Sequence, residues 1–90
     1  MGATDFDRTE DRVRAVLVDA LALDPERAAG FTADTGLFGS LPELDSMAVA
    51  GLLTALEDQL NIIIDDDEVD GEMLESFGAL VAFVDGKLTG

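Results

Sequence analysis

The sequence predicts an all-α protein: a small four-helix bundle of three main helices and one short helix, with a long first loop. Apolar residues recur at intervals of three and four in three separate stretches, and cap residues precede these stretches. The chain has 90 residues, of which 48% are hydrophobic. This is enough for one modest core and too little for a second domain, so residues 1–90 are expected to form a single domain, ordered over about 8–86.

The first helix is predicted over residues 8–23. Asp7 and Glu10 have the spacing of a capping box, with Asp in place of the usual Ser or Thr. The apolar positions that follow at helical spacing are Val13, Val16, Leu17, Ala20 and Leu21. Residues 1–6 are expected to be frayed, without a packing role.

Three of the five positive charges lie on or beside the outer face of this helix, at Arg8, Arg12 and Arg14. A solvated face is the simplest interpretation, with some local pairing to Glu10 or Asp11. We therefore expect no binding patch here.

A short helix and a long loop are predicted next. Asp24 can cap a helix and Pro25 suits the first helical position, so a turn or two of helix should follow and stop at Gly30. Residues 30–44 contain Gly36, Gly39 and Pro42 and are expected to form a loop. Loops of this length are uncommon unless they are pinned to the core or carry function. The expected pins are Phe31, Leu37, Phe38 and Leu41.

The next main helix is predicted over residues 47–60, directly after Asp45 and Ser46, two residue types preferred as helix caps. Its apolar stripe consists of Val49, Leu52, Leu53, Leu56 and Leu60. Residues 61–64 are expected to be extended and to place isoleucines in the core, because no second strand is available for pairing. Met47 and Met73 are expected at the core or its edge.

Residues 65–72 carry the densest group of acids in the chain. Asp66, Glu68 and Asp70 fall near the first, third and fifth positions of an EF-hand loop, but the twelfth position, which should be Glu, is Phe77. We therefore expect weak, unselective divalent-ion binding at these acids and no specific or structural metal site. The alternative is a capped short helix over about 67–73.

The last helix is predicted to begin after a Ser76 cap and to end at Gly86, and residues 87–90 are expected to be loose. Gly78 should weaken its first turn. Its apolar residues are Phe77, Leu80, Val81, Phe83 and Val84.

Composition limits the possible functions. The formal net charge is −15, which disfavours nucleic acid and anionic lipid and favours basic protein partners. His and Cys are absent, which excludes Cys/His and Ser/His/Asp catalysis, the usual zinc sites and disulfides. There is no signal-peptide pattern and no apolar run of membrane-spanning length, so we expect a soluble, cytoplasmic protein. Because His and Cys are absent, we expect that it is not an enzyme. We also expect a monomer, because no large unexplained apolar stripe remains once the bundle is closed.

The whole layout resembles the acyl carrier protein family over about residues 8–87. The specific centre is Leu44-Asp45-Ser46-Met47, which resembles the Asp-Ser-Leu or Asp-Ser-Met signature of that family at the start of its second helix. Leu37-Phe38-Gly39 ahead of it and Ala55-Leu56-Glu57-Asp58 within the helix support the resemblance.

The resemblance implies that Ser46 is the attachment point of 4′-phosphopantetheine, transferred from coenzyme A by a separate magnesium-dependent phosphopantetheinyl transferase. The arm would carry an acyl group as a thioester, exchanged with a loading ligase or transferase and with downstream enzymes that have basic docking surfaces. A phosphodiester would be favoured at a helix N-terminus, whereas Asp45 opposes it and is assigned to the transferase. Residues that could line a cavity for the acyl chain, beside their core role, are Leu52, Leu56, Ile64 and Leu80.

The sequence departs from the family in the helix that partners read. Ala48 and Gly51 stand where housekeeping members usually have acids. The segment 65–74 is also about two residues longer than usual. The remaining candidates for partner recognition are Asp45, Met47, Val49, Glu57 and Asp58. We expect a carrier for a specialised lipid or secondary-metabolite pathway, because such charges determine specificity and encounter rate.

Two alternatives remain. A carrier of aminoacyl or peptidyl groups would share the serine but tends to be less acidic. A non-covalent acidic adaptor or divalent-ion-binding module would use Ser46 only as a helix cap.

Overall fold

The structure is a computed structural model that describes the backbone of residues 2–89 and the side chains of residues 8–65 and 67–88. Its helices are α1 (Gly2–Leu21), α2 (Pro25–Ala29), α3 (Ser46–Leu60) and α4 (Phe77–Thr89), with a 3₁₀ turn at Asp66–Glu68. The predicted all-α class, with three main helices and one short one, is confirmed. No helix in the described range is long and apolar enough to cross a membrane.

Helix α1 is the centre of the bundle. It packs against α2, α3 and α4, whereas the backbones of α3 and α4 do not pack directly on each other within the described chain. Loop residues join the helices in a single core, which includes Leu37, Leu41 and Leu44 from the first loop and Met73 and Leu74 from the segment before α4. The loops are therefore structural parts of the bundle.

The predicted boundaries of α1 and α4 were partly wrong. Helix α1 begins at Gly2 and not near Arg8, and it ends at Leu21 because Ala22 has a φ of 53°. Helix α4 begins after the predicted cap, with Ser76 Oγ accepting a hydrogen bond from Ala79 N at 3.1 Å, but it continues past Gly86 to Thr89. Residues 1–6 were also predicted to have no packing role. Their side chains lie outside the described residues, so this stays a prediction.

The alternative of a capped short helix over about residues 67–73 is also wrong. Only the turn at Asp66–Glu68 is helical, and irregular turns follow. Asp70 Oδ1 accepts a hydrogen bond from Met73 N at 3.0 Å, which closes a local turn that competes with a helix. Farther on, the carbonyls of Leu74 and Glu75 accept hydrogen bonds from the first loop.

The first loop is held by a short antiparallel pairing with the chain around Ser76, which the sequence did not predict. The bridge joins Gly36 and Ser76. The hydrogen bonds that flank it are Leu37 N to Glu75 O (3.1 Å), Phe38 N to Leu74 O (2.9 Å), Phe77 N to Thr35 O (2.8 Å) and Gly78 N to Ala33 O (3.0 Å). This pairing satisfies backbone groups that an irregular loop would leave unpaired.

Three of the four predicted pins are confirmed, since Phe31, Leu37 and Leu41 are buried. Phe38 is not a pin, because 47% of its surface is exposed. In the extended segment after α3, Ile62 is buried and Ile64 half-buried, as expected, but Ile63 is 75% exposed.

Arg14 is not part of a solvated face. Its Nε donates to Ala28 O at 2.8 Å and its Nη2 to Phe31 O at 3.3 Å, while the guanidinium lies 5.1 Å from the centre of the Phe77 ring. The predicted pairing with Glu10 and Asp11 is confirmed, at 3.0 and 3.1 Å. Arg14 thus ties α1 to the end of α2, the start of the loop and α4.

Candidate functional site

Helix α3 is capped by Asp45. This residue has extended backbone geometry, and its Oδ1 accepts a hydrogen bond from Ala48 N at 2.8 Å. Asp45 O accepts the first helical hydrogen bond, from Val49 N at 3.0 Å. The carboxylate therefore satisfies one of the free N–H groups of the first turn, as an N-cap does.

Ser46 is consequently the first residue of α3 and not its cap. Its side chain is exposed, and its hydroxyl makes no hydrogen bond within the described chain. The remaining N–H groups and the dipole of a 15-residue helix favour an anion at this position. Ser46 thus combines a free hydroxyl with a site suited to a phosphodiester.

A depression of about 280 Å³, here called the apolar groove, runs beside Ser46 between α3 and the segment before α4. Its walls are apolar apart from Ser46 itself and Asp70. The lining residues are Phe38, Ser46, Val49, Val69, Asp70, Gly71 and Leu74.

A second depression, here called the loop groove, also borders Ser46 and has a volume of about 490 Å³. It is formed by the end of the first loop and is more polar. Its lining residues are Phe38, Gly39, Ser40, Leu41, Pro42, Leu44, Asp45 and Ser46.

An ion pair supports the loop that leads to Ser46. Arg27, in α2, donates a hydrogen bond to Glu43, three residues before the serine. This hydrogen bond is the main reason that the pKa of Glu43 is lowered from its usual value of 4.5. Glu43 therefore stays ionised and attached to α2 at neutral pH.

The predicted cavity residues do not line the apolar groove. Leu52, Leu56 and Leu80 are fully buried in the core, and Ile64 is half-buried against it. Space beside Ser46 is provided instead by Val49 and by residues of the 69–74 segment.

The predicted partner-recognition residues differ in exposure. Met47 is 86% exposed, so the expectation of a core position was wrong for Met47 and right for Met73. Asp45 and Asp58 are exposed, and Val49 is half-buried at the groove. The Oε2 atom of Glu57 accepts a hydrogen bond from Ile64 N at 2.9 Å, so this carboxylate holds the chain after α3.

The acids suggested for weak divalent-ion binding have other partners. Glu68 pairs with Lys87, and the hydrogen bond from Lys87 is the largest cause of the lowered pKa of Glu68. Asp70 holds Met73 N, and the side chain of Asp66 lies outside the described residues. Among the described side chains, no three His, Cys, Asp or Glu residues are grouped as metal ligands.

The sequence patterns did not indicate that Phe38, Val69, Gly71 and Leu74 line a groove beside Ser46. The one available signal was Phe38 itself, a large apolar residue followed by Gly39, whose φ of +89° turns the chain. An aromatic residue at such a turn can be exposed as easily as buried, so the pattern did not settle its position.

This chain is similar to proteins of a known family. The family model described as a phosphopantetheine attachment site matches residues 11–84. The solution NMR structure of a holo acyl carrier protein from Nitrosomonas europaea has 44% sequence identity and a TM-score of 0.81, covering 91% of this chain and 96% of that one. No curated protein gives a significant match. On the family match and this likeness, the chain belongs to the phosphopantetheine-binding acyl carrier protein family, whose members are non-catalytic carriers with 4′-phosphopantetheine as their cofactor.

Proposed function

We propose that Ser46 bears the 4′-phosphopantetheine arm and that the protein carries acyl groups on it, as a cytoplasmic monomer, for a specialised lipid or secondary-metabolite pathway. The observation that carries the proposal is the free, exposed hydroxyl of Ser46 at the start of α3, with the capping role taken by Asp45. The bound arm would supply a terminal thiol on which acyl groups are held as thioesters.

Attachment needs a separate phosphopantetheinyl transferase. A bond forms between Ser46 Oγ and the phosphorus of the phosphopantetheine unit, the pyrophosphate bond of coenzyme A breaks, and adenosine 3′,5′-bisphosphate leaves. The hydroxyl proton must go to a base, and this chain has no His or Cys, while the carboxylate of the preceding residue, Asp45, holds Ala48 N. We assign that base to the transferase and assign Asp45 to contact with the transferase's basic residue or metal.

The exposed face of α3 supports specialised partners. Met47, Ala50, Gly51 and Thr54 are exposed and uncharged, and the first charge in the helix is Glu57, which already holds Ile64 N. Basic partner enzymes that recognise an acidic helix would find only Asp45 and Asp58 here. Partners of this carrier should therefore recognise a largely apolar surface around Met47 and Val49.

Intact-mass measurement tests the attachment. Incubation with coenzyme A and a broad-specificity phosphopantetheinyl transferase should add one arm to the wild type and to Ser40→Ala, which removes an exposed serine of the loop groove. Ser46→Ala should gain none. A modified Ser46→Ala variant would place the arm elsewhere, and an unmodified wild type with several transferases would favour the acidic adaptor.

The arm-bearing protein then tests the pathway assignment. Once loaded, it should be elongated poorly by housekeeping fatty-acid synthase enzymes. Efficient elongation would contradict a specialised role while leaving the attachment at Ser46 intact. Selective loading with amino acids would instead support the aminoacyl carrier.

A further inference from the structure

Two residues, Phe38 and Ser46, line both depressions beside the start of α3. The apolar groove and the loop groove therefore adjoin at these two residues. A flexible arm attached to Ser46 would thus have two courses over the surface, and Phe38 belongs to the walls of both.

The backbone of Phe38 is held on both sides. Phe38 N donates to Leu74 O at 2.9 Å, and Leu37 N donates to Glu75 O at 3.1 Å. The following turn is closed by Leu41 N, which donates to Leu37 O at 2.8 Å. With its main chain fixed, the ring of Phe38 can move only by side-chain rotation, so its place beside Ser46 is a built feature of the fold.

The exposure of Phe38 is unfavourable for the protein alone. A phenylalanine that is 47% exposed leaves much of its apolar surface in water, although Leu37 and Leu41 in the same loop are buried in the core. An apolar ligand against the ring would remove this cost. The nearest source of such a ligand is the arm on the neighbouring serine.

The two courses differ in chemistry. In the apolar groove, Phe38 faces space walled by Val49, Val69 and Leu74, which suits an acyl chain excluded from water. In the loop groove it adjoins Ser40 and Asp45, at the exposed end of the site where an enzyme can approach.

We propose that Phe38 is a positioning residue that divides the surface beside Ser46 into a sheltered course, which retains the cargo, and an open course, which presents it to partner enzymes. The proposal rests on the proposed attachment at Ser46. The ring packs on the cargo in the apolar groove and separates it from the loop groove. Its removal joins the two depressions and shifts the population of the arm toward the open course.

Thioester cleavage by hydroxylamine tests the proposal. Wild type and variants are loaded from octanoyl-coenzyme A with the transferase, and loss of the octanoyl group is followed by intact mass. Phe38→Ala should be cleaved about threefold faster or more, since loss of this apolar contact lowers the sheltered population. Phe38→Leu, which keeps an apolar wall, should be close to wild type.

Ile63→Ala is the matched control. Ile63 is a large apolar residue that is 75% exposed and lines neither groove, so its variant should be cleaved at the wild-type rate. The melting temperature of each variant is measured to check that it is folded. In the wild type, nuclear Overhauser effects should link the Phe38 ring protons to the octanoyl chain, a contact that a purely structural role would not produce.

Faster cleavage of Phe38→Ala than of Ile63→Ala, together with these ring contacts, supports the proposal. Equal cleavage of the two variants, or a loaded wild type without ring contacts, overturns it. Failure of the attachment itself is seen separately, because the mass measurement would show no arm on the wild type or an arm on Ser46→Ala before any cleavage is measured.

Discussion

Two adjacent residues at the start of α3 have separate tasks. Asp45 Oδ1 holds Ala48 N, so the helix does not need the hydroxyl of Ser46 as a cap. A serine that capped the helix would have its oxygen engaged by a backbone N–H and directed toward the helix. The Asp-Ser pair therefore leaves the second residue exposed and free for reaction while the helix remains capped.

Substitutions of Asp45 should separate its capping role from its charge. Asp45→Ala should lower the free energy of unfolding by about 1 kcal/mol, because Ala48 N loses its partner, whereas Asp45→Asn keeps a capping oxygen and should cost only a few tenths. Both variants should accept the arm more slowly, since we assign the charge to the transferase. Denaturant unfolding and the rate of arm transfer measure the two effects.

Equal destabilisation by Asp45→Asn and Asp45→Ala would contradict the capping role. Arm transfer to Asp45→Asn at the wild-type rate would instead contradict the role of the charge.

Local patterns predicted some residues of the site and not others. Asp45 and Ser46 belong to a short motif whose spacing before a helix carries information, so their positions follow from the sequence. Phe38 and Arg14 could not be placed, because each is defined by contacts with distant parts of the chain. Arg14 reaches the carbonyls of Ala28 and Phe31, and no helical periodicity reports such a contact.

At the scale of elements, the pairing of residues 33–38 with 74–78 brings together the two walls of the apolar groove. A hydrogen bond from Phe38 N to Leu74 O joins the two segments, and both of these residues line the groove. Helices α1, α3 and α4 could be predicted from their apolar periodicity. This pairing could not, because each segment is too short to show a strand pattern and the two are far apart in the sequence.

Alanine should have opposite effects at two helical glycines, because only Gly78 lies against the paired loop. A Cβ atom at Gly78 would lie 2.8 Å from both the Cβ and the carbonyl oxygen of Ala33, so Gly78→Ala should destabilise the protein by about 1–3 kcal/mol despite its better helix propensity. At Gly51, within α3, nothing lies within 4 Å. Gly51→Ala should therefore stabilise by about 0.5–1 kcal/mol.

Denaturant unfolding of the two variants provides the comparison, with each serving as the control for the other. If Gly78→Ala is as stable as the wild type, the close approach of the loop to α4 is wrong. Destabilisation by Gly51→Ala would contradict the open surface on α3.

At the scale of the whole molecule, the dominant feature is the charge. The chain has twenty acidic and five basic residues. Three of the basic residues, Arg14, Arg27 and Lys87, are already engaged in ion pairs. Five basic residues cannot pair one to one with twenty acids, so most carboxylates have no cation of their own. The compact state gathers these charges more closely than the unfolded chain does, so their mutual repulsion favours unfolding.

Added salt should accordingly raise the melting temperature by several degrees between low and moderate ionic strength. Screening acts over about 10 Å at 0.1 M salt, so it weakens the repulsion spread over the surface. It also weakens the few surface ion pairs, but exposed pairs contribute little to stability. The double variant Asp67→Asn/Glu72→Gln, which removes two exposed acids, should melt higher at low salt and respond less to added salt. A melting temperature that is the same at low and moderate salt would show that repulsion does not limit the stability of this carrier.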